Sequence, residues 1–129
     1  MSKHYRKLWK RAVLGRAMNR CELGITEECE GYAHDAHHLV SATSKRCELD
    51  QRNGMAVCRH CHNWIHTHDG KFKEWLEENR QDLVDYILNA NLRDPRPVKE
   101  VVDECIRAIK CTIGMDPDGE PDSHTSIRA

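Results

Sequence analysis

The chain has 129 residues, 39% of them hydrophobic, with 20 Lys and Arg against 21 Asp and Glu. That length allows one compact domain with appendages and excludes two full domains. No stretch approaches the ~20 consecutive apolar residues of a membrane span, and the basic N-terminus lacks an apolar signal region, so a soluble cytoplasmic protein with no membrane partner is expected.

The near-zero net charge hides a division. Residues 1–73 carry 13 basic and 8 acidic side chains, whereas 74–129 carry 7 and 13. All seven charges in the first 20 residues are positive: Lys3, Arg6, Lys7, Lys10, Arg11, Arg16 and Arg20. Such a segment suits a polyanion, because each neutralised phosphate releases counterions; the plain alternative is a solvated helix face. Three Trp, three Tyr and one Phe leave few large core anchors, so the seven Cys and nine His become candidates for holding the chain together through metal.

Residues 1–20 read as a basic amphipathic helix, with Ser2 as cap and Tyr5, Leu8, Trp9, Ala12 and Val13 recurring at helical spacing. From Cys21 to Ala36 the period disappears and Gly24 and Gly31 indicate a loop. His37–Ser41 and Gly54–Cys58 are short runs compatible with two strands of a hairpin joined by a long polar connection. After Cys58 the pattern is helical to about Thr67. Asp69 and Gly70 interrupt it, and a further helix starts near Lys71 with Phe72, Trp75 and Leu76 inward. Leu83, Tyr86, Ile87 and Ala90 continue that stripe after a break near Asn79, Pro95 and Pro97 mark a turn, and Val98, Val101, Val102, Cys105, Ile109 and Ile113 form a last apolar stripe. The chain thus divides into 1–20, a core at 21–70, a helical extension at 71–113 and a tail at 114–129 whose composition predicts disorder.

Cys58-x-x-Cys61 places two thiols at the spacing at which one tight turn directs both sulfurs to a tetrahedral ion, and Cys21 with Cys29 supplies a second pair from the loop. Together they predict a closed structural Zn²⁺ site, which links distant segments and contributes folding free energy directly. Ordinary buried thiols and redox chemistry are the other readings, and no thioredoxin-like pattern surrounds the pair. Cys105 lies on an apolar stripe, while Cys47 and Cys111 have no evident partner. His37 and His38 are adjacent, Asn53 follows, and His62 and His66 lie four apart, a separation that stacks two imidazoles on one helix face.

The constellation His37-His38, Asn53 and Cys58-x-x-Cys61-His62-x-x-x-His66 resembles the motif of the HNH nuclease family, in particular its small free-standing phage members. The resemblance covers about residues 21 to 68. It implies an α+β fold: a ββα-metal (His-Me finger) core with a zinc knuckle, flanked here by the N-terminal basic helix and C-terminal helices. It further implies that His37, His62 and His66 bind a catalytic divalent ion, that His38 is the general base, and that Asn53 holds the hairpin loop and the base in place. The expected reaction is hydrolysis of DNA phosphodiester bonds to 5′-phosphate and 3′-hydroxyl ends. Imidazole ligands favour Zn²⁺, Ni²⁺, Co²⁺ or Mn²⁺ over Mg²⁺ for tight binding, though turnover with Mg²⁺ is compatible with the site.

One expectation conflicts with the resemblance: on a regular strand His37 and His38 face opposite sides. Asp35 is an alternative ligand. His34, His60 and His68 are read as ancillary or solvent-exposed, His4 and His124 as surface residues. Lys45, Arg46, Arg52 and Arg59 surround the hairpin in sequence and, with Lys7, Lys10 and Arg11, are candidates for clamping DNA phosphates. The acidic half suits a homodimer or a phage terminase, packaging or recombination partner, and a phage origin places the protein in a bacterial host cell. The rival readings are a zinc-stabilised DNA-binding module without catalysis, and a regulatory zinc domain that binds proteins.

Overall fold

Along α1 (Lys3–Arg16), Leu8, Trp9, Ala12 and Val13 are buried, the stripe that the helical spacing predicts. These coordinates come from a computed structural model that describes residues 3–41, 44–90 and 95–116, so the Ser2 cap and residues 117–129 of the expected tail lie outside the described residues. A loop containing Leu23 leads to β1 (Asp35–His38), and a 3₁₀ turn at Gln51–Asn53 leads into β2 (Gly54–Val57). The two strands pair antiparallel with Asp35 opposite Val57, Ala36 opposite Ala56, His37 opposite Met55 and His38 opposite Gly54. Four helices follow: α2 (Arg59–Thr67), α3 (Asp69–Asn79), α4 (Gln81–Ala90) and α5 (Val98–Thr112). The fold is therefore α+β, and none of its described helices is long and apolar enough to cross a membrane.

The strand pleat divides the core in two. Alternate residues point to opposite faces, and Ala56 on one face joins Leu8, Trp9, Ala12, Val13, Leu49, Val102 and Ile109 from α1, the inter-strand connection and α5. On the other face Met55 and Val57 pack with Leu23, Ile65, Phe72, Leu76 and Leu83. Both faces of a two-stranded sheet are covered, which a bare hairpin of this size needs for stability. α1 crosses β2 so closely that a Cβ on Gly54 would stand 2.9 Å from Trp9 Cζ2 and closer still to Val13.

Three boundaries differ from the sequence reading. β1 begins at Asp35 and ends at His38 instead of running His37–Ser41, because Asn53 captures the backbone of Val40: its Oδ1 accepts the Val40 N–H at 2.6 Å and its Nδ2 donates to the Val40 carbonyl at 3.0 Å. β2 ends at Val57, and Cys58 caps α2 through its sulfur, which accepts the Cys61 N–H at 3.3 Å. α3 starts at Asp69 with Gly70 inside it. The break lies instead at His68, whose backbone (φ −134°, ψ 50°) turns the chain, and Asp69 in the first turn favours the new helix through its dipole. On α5, Val101, Val102 and Ile109 are buried, whereas Val98 is 41% exposed.

Candidate metal centres

Cys58 and Cys61 are held by the turn that starts α2, and Cys21 and Cys29 by the loop after α1. All four sulfurs lie within 4.8 Å of one another. A tetrahedral Zn–S bond of ~2.3 Å sets sulfurs about 3.8 Å apart, so the four can hold an ion such as zinc. The loop is shaped for it. Gly24 and Gly31 take positive φ (56° and 80°), a conformation open to glycine at little cost, and their N–H groups reach Cys21 Sγ at 3.5 Å and Cys29 Sγ at 3.4 Å. Thr26 Oγ1 lies 3.5 Å from Cys61 Sγ.

The sulfurs differ in acidity. Burial opposes ionisation of Cys61, but hydrogen bonds from Thr26, Ile25 and Cys58 outweigh it and bring the thiol to about 7. At Cys29 the Gly31 N–H favours the thiolate, yet burial and the neighbouring sulfurs push the thiol up to about 12; burial likewise raises Cys21. Cys61 thus ionises readily while Cys21 and Cys29 resist, and a cation held among the sulfurs would favour their thiolate forms.

The second group is His37, His62 and His66, whose ligand nitrogens also lie within 4.8 Å of one another. Ring centroids are 5.3 Å apart for His37 and His62, 5.5 Å for His37 and His66, and 4.9 Å for His62 and His66. His37 comes from β1 on the face toward α2, and the other two from successive turns of α2. Asp35, one strand period before His37, reaches the same face. Its Oδ2 stands 3.2 Å from His62 Nδ1; a carboxylate there accepts the Nδ1–H and leaves Nε2 for an ion, the arrangement that orients metal-binding histidines. Burial first, and then the nearby His62 and His66, lower the pKa of His37 to about 4, which keeps its imidazole neutral. Three imidazoles leave coordination positions open, as a catalytic site requires.

His38 stands apart from that group, as strand alternation demands. Its ring lies against Trp9 of α1, centroids 3.9 Å apart and planes within 7°, and its Nε2 is 3.0 Å from the Glu48 carbonyl. A carbonyl only accepts, so Nε2 carries the proton and Nδ1 keeps its lone pair. Burial lowers the His38 pKa, partly offset by the bond to Glu48. Asn53 is fully buried. Besides both backbone groups of Val40, it donates to the Cys47 carbonyl at 3.1 Å, so one side chain fixes both ends of the connection that carries Glu48.

The basic candidates separate by use. Arg46 donates to the Arg96 carbonyl at 2.6 Å. Arg52 is bound to Asp50 through Nε at 3.0 Å and Nη2 at 2.8 Å and lies 5.5 Å over the Tyr86 ring, so both arginines are engaged within the fold. Lys7, Lys10 and Arg11 are exposed on α1, Lys45 on the inter-strand connection and Arg59 at the start of α2. His34 and His60 pair with Glu30 at 3.1 and 3.9 Å, and His68 stacks on Trp64; none of these joins the three-histidine group. His4 is exposed beside Tyr5, and His124 lies outside the described residues.

Sequence reasoning missed Trp9, read only as a core residue, and Glu48, whose carbonyl anchors His38. It also missed that Arg16 donates 2.8 Å bonds to the carbonyls of Gln51 and Gly54. No local signal marks these roles, since each joins residues far apart in the chain. Comparison with protein-family models, with curated proteins and with solved structures finds no match to this chain.

Proposed function

We propose that the protein is a metal-dependent endonuclease of HNH type, in which β1, β2 and α2 form a ββα-metal core that hydrolyses phosphodiester bonds of DNA. The observation that carries this reading is the convergence of His37, His62 and His66 across β1 and α2, next to a histidine whose Nε2 is tied to Glu48 and whose Nδ1 makes no hydrogen bond among the described residues.

In-line hydrolysis of a diester sets the attacking water and the leaving oxygen on opposite sides of phosphorus. Neighbouring residues on a strand likewise point to opposite faces. The placement that seemed an obstacle in the sequence therefore suits the reaction: His38 serves the water from one side, and the three-histidine group serves the leaving oxygen from the other. His38 Nδ1 takes a proton from water, the hydroxide oxygen bonds to phosphorus, and the P–O3′ bond breaks to leave a 3′-oxyanion and a 5′-phosphate. Its lowered pKa keeps His38 neutral near pH 7, the form that accepts a proton. When bound at the three histidines, a divalent ion such as Mg²⁺, Mn²⁺, Ni²⁺ or Zn²⁺ supplies charge stabilisation to the departing oxygen. Asn53 holds the connection whose Glu48 carbonyl fixes the His38 tautomer. The four cysteines, with Zn²⁺, fix the start of α2 and hence His62, the residue directly after Cys61.

Supercoiled plasmid tests this. Wild type is expected to nick or linearise it with added divalent ion, and a chelator to abolish the cutting. His38→Ala should bind DNA as before but cut about 10²–10⁴-fold more slowly. Equal cutting by both proteins removes His38 from the role of base. Salt-sensitive binding without cutting by any ion supports the non-catalytic DNA-binding module instead.

A further inference from the structure

Glu48 is fully buried, yet its carboxylate holds two side chains that reach outward. Arg6 Nε bonds to Oε2, and Lys45 Nζ stands 3.7 Å from Oε1. Arg6 is 52% and Lys45 57% exposed, and Oε1 accepts no hydrogen bond among the described residues. The close Arg6 bond offsets burial at Oε2, whereas the 3.7 Å Lys45 contact leaves Oε1 under-compensated. Stability alone gives the Oε1 side of this arrangement little reason to exist.

Its geometry suggests another. The carboxylate takes Arg6 Nε, no bond from the Nη atoms occurs among the described residues, and the half-exposed guanidinium keeps a planar fork that suits two phosphate oxygens. Two cations share one anion, so a net positive charge remains on the solvent side. Two tethers set this charge beside the proposed base: Glu48 holds His38 Nε2 through its own carbonyl at 3.0 Å, and Trp9, one helical turn after Arg6, stacks on the His38 ring. We propose that Arg6 and Lys45, fixed on the buried carboxylate of Glu48, form an anion clasp that takes a phosphodiester oxygen of nucleic acid beside His38. The identity of the anion rests on the nuclease reading above. The clasp makes α1 part of the substrate site through one residue of its inner edge, in addition to any contact from its outer basic face.

The test is binding of a fluorescent 20-base-pair duplex to the full zinc-loaded chain, without further divalent ion, over a range of salt. Lys45→Gln alters an exposed side chain and keeps the fold. Arg6→Gln paired with Glu48→Gln removes the ion pair as a unit, without stranding a buried charge. Each is expected to weaken binding several-fold and to lower the slope of log K against log salt by about one, as loss of a phosphate contact does. Lys73→Gln, at an exposed position of α3, should change neither. Wild-type affinity and slope in Lys45→Gln and in the folded double variant overturn the clasp, as does an equal loss in Lys73→Gln. Should the double variant not fold, Lys45→Gln with Arg6→Lys decides, the latter keeping the charge but losing the fork. Plasmid cutting separates the two proposals. Altered slopes in a protein that never cuts leave the clasp and remove the nuclease. Cutting that depends on His38, with unchanged slopes, does the reverse.

Discussion

Asn53 illustrates how much a single buried amide decides. Its three bonds, to the Val40 N–H, the Val40 carbonyl and the Cys47 carbonyl, end β1 and anchor the connection that presents Glu48 to His38. A net contribution of about 1 kcal/mol per bond, with the desolvation of groups left unpaired, puts the cost of Asn53→Ala at about 3 kcal/mol. The expected result is a fall of roughly 10 °C in melting temperature, together with slower plasmid cutting as the His38 anchor shifts. A variant that melts with the wild type would show that the three bonds do not hold the connection. Arg16 acts similarly from the other side, its guanidinium tying α1 to the backbone of Gln51 and Gly54. A residue read from sequence as one more cation on a basic face is thus a fastening of the hairpin.

At the scale of elements, the contact of α1 with β2 sets the geometry around His38. At Gly54 the approach leaves no room for a Cβ, which would collide with Trp9 and Val13. Gly54→Ala forces α1 away and is expected to destabilise by about 1–3 kcal/mol. Gly15, also on α1, has open space around its Cα, so Gly15→Ala is expected to stabilise by about 0.5–1 kcal/mol through helix propensity alone. Denaturant titration of the two variants checks the contrast, and equal effects would remove the close crossing as the cause. The α2 helix carries the other half of the site. Its N-terminal turn is built by Cys58 and Cys61 and its next turns bear His62 and His66, so the four-cysteine cluster and the three-histidine group share one rigid rod.

For the whole molecule, the cysteine cluster brings together the loop after α1 and the junction of β2 with α2, and an ion held there would cross-link them. Two hydrophobic clusters separated by a two-stranded sheet give a modest core, and a structural zinc contributes free energy comparable to the total stability of a small domain. Cys58→Ser is expected to lose one zinc per chain and to melt more than about 10 °C lower, whereas His66→Ala should lose only the second ion and keep its melting temperature. Metal analysis beside thermal unfolding reads both. Retained zinc with unchanged melting in Cys58→Ser would refute the cross-link, and a large loss of stability in His66→Ala would make the histidine site structural.

The helices, the hairpin, the break near Asn79, the pairing of cysteines and the grouping of histidines were legible in the sequence because each rests on local spacing: 3.6 residues per helical turn, two per strand pleat, three from Cys58 to Cys61, four from His62 to His66. The sequence also carried the alternation that separates His37 from His38. Tertiary structure alone decided which cations remain exposed, what His38 rests on and what fixes its tautomer. Those outcomes depend on partners outside the local sequence window: Glu48 is 10 residues from His38, Trp9 is 29 from it, and Arg6 is 42 from Glu48. They follow from the crossing of α1 over the sheet and from strand register, and neither is encoded in the spacing of neighbouring residues.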